Sequence, residues 1–376
     1  MQIRLVKPCV GEEELTALKD VIERAWLGKG PKVAEFEAAW SDFLSCPSSV
    51  AVNSGTAALH LAIQVFQFPI GKKVLVPAMT FVSTANAALY NRLEPVFVDV
   101  DEDTLSIDLE DLDRKCDPDC VAVIPVHFGG HPVKMDELMT WARDKNIKVV
   151  SDCAHCAGGS YKSKKLGLWG DIGCFSFEEK KLLVTGDGGM ISSNDPELIQ
   201  SLRVKAQTGM NSHTWDRAVQ AEIQDYPDAY HWYYEVHELG FKYNMNDIAA
   251  AIGLVQLKKL ERMNLSRSRI VKKYLQGFQN SPLVRLGMPY RDDTPYYLFM
   301  LRTSHRDSLI EHLTRMGVST GVHTMPLPWH PLYSEHKKDI PTANRIWQEY
   351  VTLPLFPEMT DEQIQYVIDN VMEWKP

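Results

Sequence analysis

Short apolar runs alternate with helical patterns through the middle of this 376-residue chain, and that alternation leaves few folds open. Residues 74–76, 96–98, 121–126, 148–151, 173–177 and 189–192 are expected as strands, with helices over 82–90 and 135–145. Strands this short and apolar on both faces must be covered above and below, which calls for a largely parallel sheet between helices. The expected fold class is therefore α/β. Ahead of the sheet, Leu15, Leu18, Val21 and Ile22 recur at helical spacing over 12–26, and further helices are expected at 32–43 and 57–63. Beyond it, a helix over 247–263 leads to a strand at 296–302 and helices at 306–316 and 361–374, which describes a smaller α+β unit. A chain of this length exceeds the size at which a single core stops growing. The expected division is a large domain over 1–258 and a small C-terminal domain over 259–376.

Composition excludes more than it identifies. Hydrophobic residues make up 45% and charged residues 24%, an ordinary globular balance. A net charge of -9 argues against a general nucleic-acid surface, although it leaves room for a local phosphate site. Lys7-Pro8 follows the first six residues before any apolar leader develops, and no stretch reaches the length of a membrane span. Seven cysteines, an odd number, suggest free thiols in a reducing compartment, so the expectation is a cytoplasmic protein.

The chemistry concentrates in the stretch from Phe175 to Gly189, which holds Lys180, Lys181 and the turn Gly186-Asp187-Gly188-Gly189 between two expected strands. A lysine on a sheet-end loop can sit partly desolvated, which favours the neutral amine that imine formation with an aldehyde cofactor requires. Taken alone, such a pair is more simply a solvated loop. Asp152, however, closes the strand at 148–151 and can hold a proton on a pyridine ring nitrogen at the carboxyl edge of the sheet. Ser54-Gly55-Thr56 offers hydroxyls and backbone donors at a helix start, where the dipole favours a phosphate. Phe81 follows Thr80 just after a strand, where its ring can lie flat against a cofactor. Each signal is weak alone; their order along the chain is specific.

With these residues in place, the chain resembles the DegT/DnrJ/EryC/StrS family of sugar aminotransferases, within the fold-type I pyridoxal-phosphate enzymes. The likeness runs through Gly28-Lys29-Gly30-Pro31, Asn53 to Leu59, Pro77 to Phe81, Pro95 to Val100, Asp152-Cys153-Ala154-His155, the lysine loop, Gly240 to Met245, Gly321-Val322-His323 and Leu353 to Pro357. The resemblance implies Lys181, four residues after Phe177, as the Schiff-base lysine, with Lys180 one residue early. It implies that Asp152 pairs with the pyridinium nitrogen, His155 lies near the ring, Phe81 stacks on it, and Gly55, Thr56 and Ser176 hold the phosphate. It further implies that Asn244 reaches the phosphate from a neighbouring subunit of a homodimer, and that His323 faces the substrate. The implied cofactor is pyridoxal 5'-phosphate, the donor glutamate or glutamine, and the acceptor a nucleotide-linked 4-keto-6-deoxy sugar. A keto-cyclitol aminotransferase, or a cofactor-binding sensor without turnover, remains an alternative.

Sharper readings of other residues are set aside. Cys116, Cys120, Cys153 and Cys156 could be counted as zinc ligands. On parallel strands, however, Cys120 opens one strand and Cys153 follows the end of another, about 20 Å apart across a six-residue strand. No metal site is expected. His127, His131, His323 and His330 show no ligand spacing and are expected as satisfied or surface histidines. The aromatic stretch Tyr230 to Tyr234 lies among Asp225, Asp228, Glu235 and Glu238, which suits an interface or substrate-edge loop rather than a base-stacking platform. No glycine fingerprint of a nicotinamide enzyme follows an early strand.

Overall fold

The computed structural model describes residues 1–210 and 234–376. Its centre is a seven-stranded sheet built from β1 (Ser48–Val52), β2 (Lys73–Pro77), β3 (Glu94–Val98), β4 (Cys120–Val123), β5 (Lys148–Asp152), β8 (Ile172–Ser176) and β9 (Gly189–Ser193); a small hairpin, β6 (Ser160–Tyr161) and β7 (Lys164–Lys165), lies outside it. The strand order is β1-β9-β8-β5-β4-β2-β3, with the four pairings from β8 to β3 parallel and β9 antiparallel to both neighbours. The mainly parallel α/β sheet is as expected. β1 was not foreseen, because its alternating Ser-Ser-Val-Ala-Val pattern on the sheet edge lacks the continuous apolar run of the inner strands.

Two apolar layers sandwich the sheet. One holds α3 (Gly55–Gln64), α4 (Val82–Tyr90) and α7 (Pro196–Ala206) through residues such as Leu59, Ala85 and Leu202. The other holds α2 (Pro31–Leu44), α5 (Leu109–Lys115) and α6 (Met135–Lys145) with the first half of α8 (Asp247–Phe278), through Phe36, Trp40, Leu138 and Leu260, and α1 (Glu12–Glu23) packs on α8. Strand β4 stops before the expected 126 because Pro125 has no N–H for the ladder; Val126 instead forms a single bridge to Asp152.

Helix α8 does not end at Met263. Asn264, Ser266, Arg267 and Ser268 interrupt the apolar pattern, yet Ile270, Tyr274 and Phe278 continue the spacing and bury in a third cluster, so the helix runs for 32 residues, about 48 Å at 1.5 Å per residue. Residues 258 and 259 thus lie inside one continuous helix. The third cluster carries the antiparallel sheet β10 (Arg285–Leu286), β11 (Phe299–Arg302) and β12 (Tyr350–Leu353), with α9 (Arg306–Arg315), α10 (Pro341–Ile346) and α11 (Asp361–Glu373) in the same part of the chain. Ile3 is buried in it too, its N–H donating to Gly317 O at 2.9 Å, so the first residues pack with the last hundred.

Candidate active site

The carboxyl ends of the parallel strands and the start of α3 open into one cavity of about 450 Å³. Gly55, Thr56, Phe81, Asp152, His155, Ser176, Lys181 and His323 all line it, so the sheet brings together eight residues spread over 269 positions of sequence (55 to 323). Asn244 is not among the lining residues of its own chain's cavity. It bridges to Val52 and donates from Nδ2 to Met245 O, while its buried Oδ1 has no partner.

The lysine is set by its loop. Phe177 N–H donates to Gly188 O, Thr185 N–H to Phe177 O, and Lys181 N–H to Glu178 O, which closes the segment on itself. Leu182 and Leu183, both fully buried in the second core layer, anchor the turn and leave the Lys181 side chain facing the cavity. Lys180 differs: its amine lies 3.7 Å from the Glu178 carboxylate at the rim, with most of the side chain in solvent.

Asp152 lies on the cavity floor at the end of β5. Its carboxylate accepts from Thr84 Oγ1 at 2.8 Å and from Ala154 N–H at 3.1 Å, and no basic side chain among the described residues hydrogen-bonds to it. Burial pushes its pKa up, against weaker opposing effects from those donors and the Lys181 charge. A buried carboxylate with only neutral donors is incompletely compensated and favours a cation at its free face. A protonated ring nitrogen meets that demand.

At the other end, Ser54 caps α3 by accepting from Ala57 N–H, which leaves the N–H groups of Gly55 and Thr56 at the helix start. A β-carbon on Gly55 would lie 2.7 Å from Ser176 Cβ, so only glycine allows this approach. Thr56 Oγ1 and Ser83 Oγ stand 2.7 Å apart beside it. Hydroxyls and free amides at a helix N-terminus form a phosphate cradle. The residues present therefore fit pyridoxal phosphate at both ends. Phe81, 62% exposed although aromatic, leaves its ring on the open side of the cavity.

The histidines at the site are held neutral. Burial, with smaller effects from Lys181 and other neighbours, pushes His155 well below its usual value and His323 down to about 4. His323 Nδ1 pairs with Thr352 Oγ1 at 3.1 Å. His127 and His131 are buried as well, yet each keeps a ring nitrogen without a partner, so the expectation of satisfied histidines fails there; His330 is exposed. The fold also brings His127 beside Cys153 and Cys156, their ligand atoms within 4.8 Å, a grouping invisible in the sequence. His127 Nδ1 accepts from Val133 N–H, so in the neutral ring Nε2 carries the proton and neither nitrogen offers a lone pair to a metal. All seven cysteines are free. The aromatic stretch through Tyr233 lies outside the described residues.

Two residues of the site escaped the sequence. Thr84, fully buried on α4 behind the cavity lining, joins Asp152 to Thr80 through a 2.8 Å hydroxyl pair; a threonine in the buried first turn of a helix, four residues after Thr80, was the available signal. Tyr297 comes from the far end of the chain, and nothing in its local pattern marked it.

Comparison with known proteins gives a consistent picture. The model of the DegT/DnrJ/EryC1/StrS aminotransferase family matches residues 8–372. The spore coat polysaccharide biosynthesis protein SpsC of Bacillus subtilis is 36% identical over 378 residues, spanning 97% of this chain and 95% of that protein. Among solved structures, the sugar aminotransferase CalS13 from Micromonospora echinospora superposes with a TM-score of 0.89 at 28% identity, covering 99% of this chain and 100% of that one. Spr1654 from Streptococcus pneumoniae, in its PLP-form, gives 0.89 at 27% identity over 99% and 98% of the two chains. Among the described residues, no helix is long and apolar enough to cross a membrane.

Proposed function

The chain belongs to the DegT/DnrJ/EryC1/StrS aminotransferase family, and from that membership we propose that it moves an amino group from glutamate or glutamine to a nucleotide-linked 4-keto-6-deoxy sugar. Its cofactor is pyridoxal phosphate. We assign Lys181 as the covalent lysine, and a cytoplasmic homodimer as the working unit, in which Asn244 serves the partner's phosphate site. The observation that carries the reading is the pairing, in one cavity, of the Lys181 amine with a buried carboxylate lacking a basic partner. The sugar acceptor is supported by the likeness to SpsC, a polysaccharide biosynthesis protein, and to CalS13, a sugar aminotransferase; the nucleotide rests on family analogy.

When bound, pyridoxal phosphate supplies an aldehyde that joins amines and a ring that withdraws electrons from the adjacent carbon. The protein's residues do the rest. Asp152 holds a proton on the ring nitrogen, and Thr84 and Ala154 N–H fix the carboxylate that does so. Gly55, Thr56 and Ser176 hold the phosphate, while Phe81 and His155 flank the ring. Lys181 binds the cofactor between turnovers. With the cofactor bound, the freed Lys181 amine would take a proton from the substrate carbon that carries the amino group and return it to the cofactor carbon on the far side of the linking nitrogen. Neutral His155 and His323 add no positive charge that would compete with a protonated ring nitrogen for Asp152.

The test is an absorption spectrum of the purified protein with pyridoxal phosphate, before and after glutamate. A cofactor band that shifts on adding glutamate supports the first half-reaction, and product analysis with nucleotide sugars and keto-cyclitols then separates the acceptors. A band unchanged by any donor favours a sensor without turnover, and no band at all refutes the reading.

A further inference from the structure

Tyr297 lines the cavity and has no part in the chemistry described so far. Its phenol oxygen lies 3.5 Å from Lys181 Nζ, which also sits 4.7 Å from the centroid of the ring. His155 is stacked on that ring, with centroids 4.1 Å and planes 16° apart. One side chain thus touches both the lysine and the imidazole of the site.

Its backbone is held firmly. Tyr297 N–H donates to Gly129 O at 3.0 Å, and Leu298 N–H shares the same oxygen at 3.3 Å. Gly130, at φ +98°, makes the approach possible: a β-carbon there would lie 3.2 Å from both Tyr297 N and His155 O. The preceding Tyr296 adopts φ +45°, a left-handed conformation that a side chain disfavours. The Tyr296 hydroxyl holds that conformation by accepting from Arg291 N–H at 2.8 Å and donating to Arg291 O at 2.9 Å. Backbone strain sustained by such a clamp is characteristic of a functional site, and here it orients the next residue into the cavity.

We propose that Tyr297 is a positioning residue for Lys181, its hydroxyl docking the lysine amine whenever that amine is not bonded to the cofactor, and its ring fixing His155 from behind. The proposal rests on the pyridoxal-phosphate reading above. A lysine freed in each half-reaction hangs on a flexible stem with many rotamers, and proton transfer needs it at one place. The phenol supplies that place. A separation of 3.5 Å is at the long limit of a hydrogen bond, as is common in sites that tighten only with substrate present.

The experiment compares wild type, Tyr297→Phe and Tyr297→Leu. Cofactor-free proteins are mixed with pyridoxal phosphate and the absorbance rise is timed across neutral to alkaline pH, with thermal midpoints and steady-state kinetics alongside. Tyr297→Phe keeps the ring and the midpoint but captures the cofactor about tenfold more slowly, and lowers kcat about tenfold with KM unchanged. Tyr297→Leu, which loses the stack on His155 as well, also binds the cofactor more weakly. Capture by Tyr297→Phe at the wild-type rate overturns the proposal. So does a slowing that tracks a fall in thermal midpoint in both variants, which would make Tyr297 a packing residue. Failure of the wild type itself to capture the cofactor overturns the functional reading beneath it.

Discussion

The cavity floor and the seam around Glu102 each hold a carboxylate, and the protein treats the two in opposite ways. Glu102 receives two arginines: Arg345 donates to both its oxygens at 3.1 and 2.7 Å, and Arg302, itself 4% exposed, donates at 2.9 Å while also pairing with Glu349. Those hydrogen bonds, Arg345 first, hold the Glu102 carboxyl down at about 2. Asp152 is buried far more deeply, receives only a hydroxyl and an amide, and has its pKa raised by burial. A fold able to supply two guanidinium groups to a surface carboxylate gives the buried one, among the described residues, no basic side chain to hydrogen-bond with, and only the weaker field of Lys181. Compensation marks a structural charge, and its lack marks a charge kept for a ligand.

The largest effect that tests this contrast is at the lysine near Asp152. Lys181→Ala is expected to lower turnover by roughly 10⁵-fold or more and to abolish covalent cofactor attachment, whereas Lys180→Ala keeps attachment; mass spectrometry after borohydride reduction distinguishes them. Retained turnover in Lys181→Ala would break the assignment of the floor as the chemical end.

Asp152→Asn comes next, with a loss of roughly 10²-fold or more in turnover and an opposite effect on stability. Because burial raises the Asp152 pKa above its ordinary 3.8, the ionised group costs stability above that pH, and the cost disappears as pH falls. The cofactor-free Asn variant should therefore melt about 2 °C higher at neutral pH. The matching variant Glu102→Gln should melt lower, and the same sign in both would erase the distinction.

Acid unfolding separates the regions along the pH axis. His127, His131 and His323 are pushed down to about 3, 4 and 4, chiefly by burial, and His155 well down too. All are neutral in the folded chain at neutral pH, so stability is full above about 6.5 and falls below it as the unfolded chain takes up protons, by roughly 1 kcal/mol per pH unit for each histidine. Glu102 behaves otherwise: its contribution is present above its ordinary 4.5 and lost as pH falls through about 2. Urea melts at descending pH should therefore weaken first through the buried histidines and only later through Glu102, and a flat profile between 6.5 and 4.5 would refute this order.

The smallest effects belong to the seam. Arg302→Ala should cost about 2 kcal/mol in a denaturant titration, because its removal leaves two carboxylates without their buried partner. Glu102→Gln should cost about 1 kcal/mol or less, since Glu102 is 41% exposed and water screens the pair.

Much of this was legible in the chain itself. Helices over Val82–Tyr90 and Met135–Lys145 fall where periodicity puts them, and the inner strands agree to within one to three residues, because apolar spacing is a local property. Asp152, Gly55 and Thr56 could be named because strand ends and helix starts carry recognisable residues, whereas Lys181 was singled out over Lys180 by the family resemblance. What stayed hidden depends on distant neighbours. The continuation of α8 to Phe278 needed the C-terminal cluster that buries Ile270 and Tyr274. Thr84, Tyr297 and the meeting of His127 with Cys153 and Cys156 needed the sheet order, which no local pattern encodes. The sequence by itself determined which residue types stand at the edge of a parallel sheet, since that follows from periodicity and turn chemistry. Only the tertiary structure decided which of them are compensated, because burial and charge pairing arise between segments that are far apart along the chain.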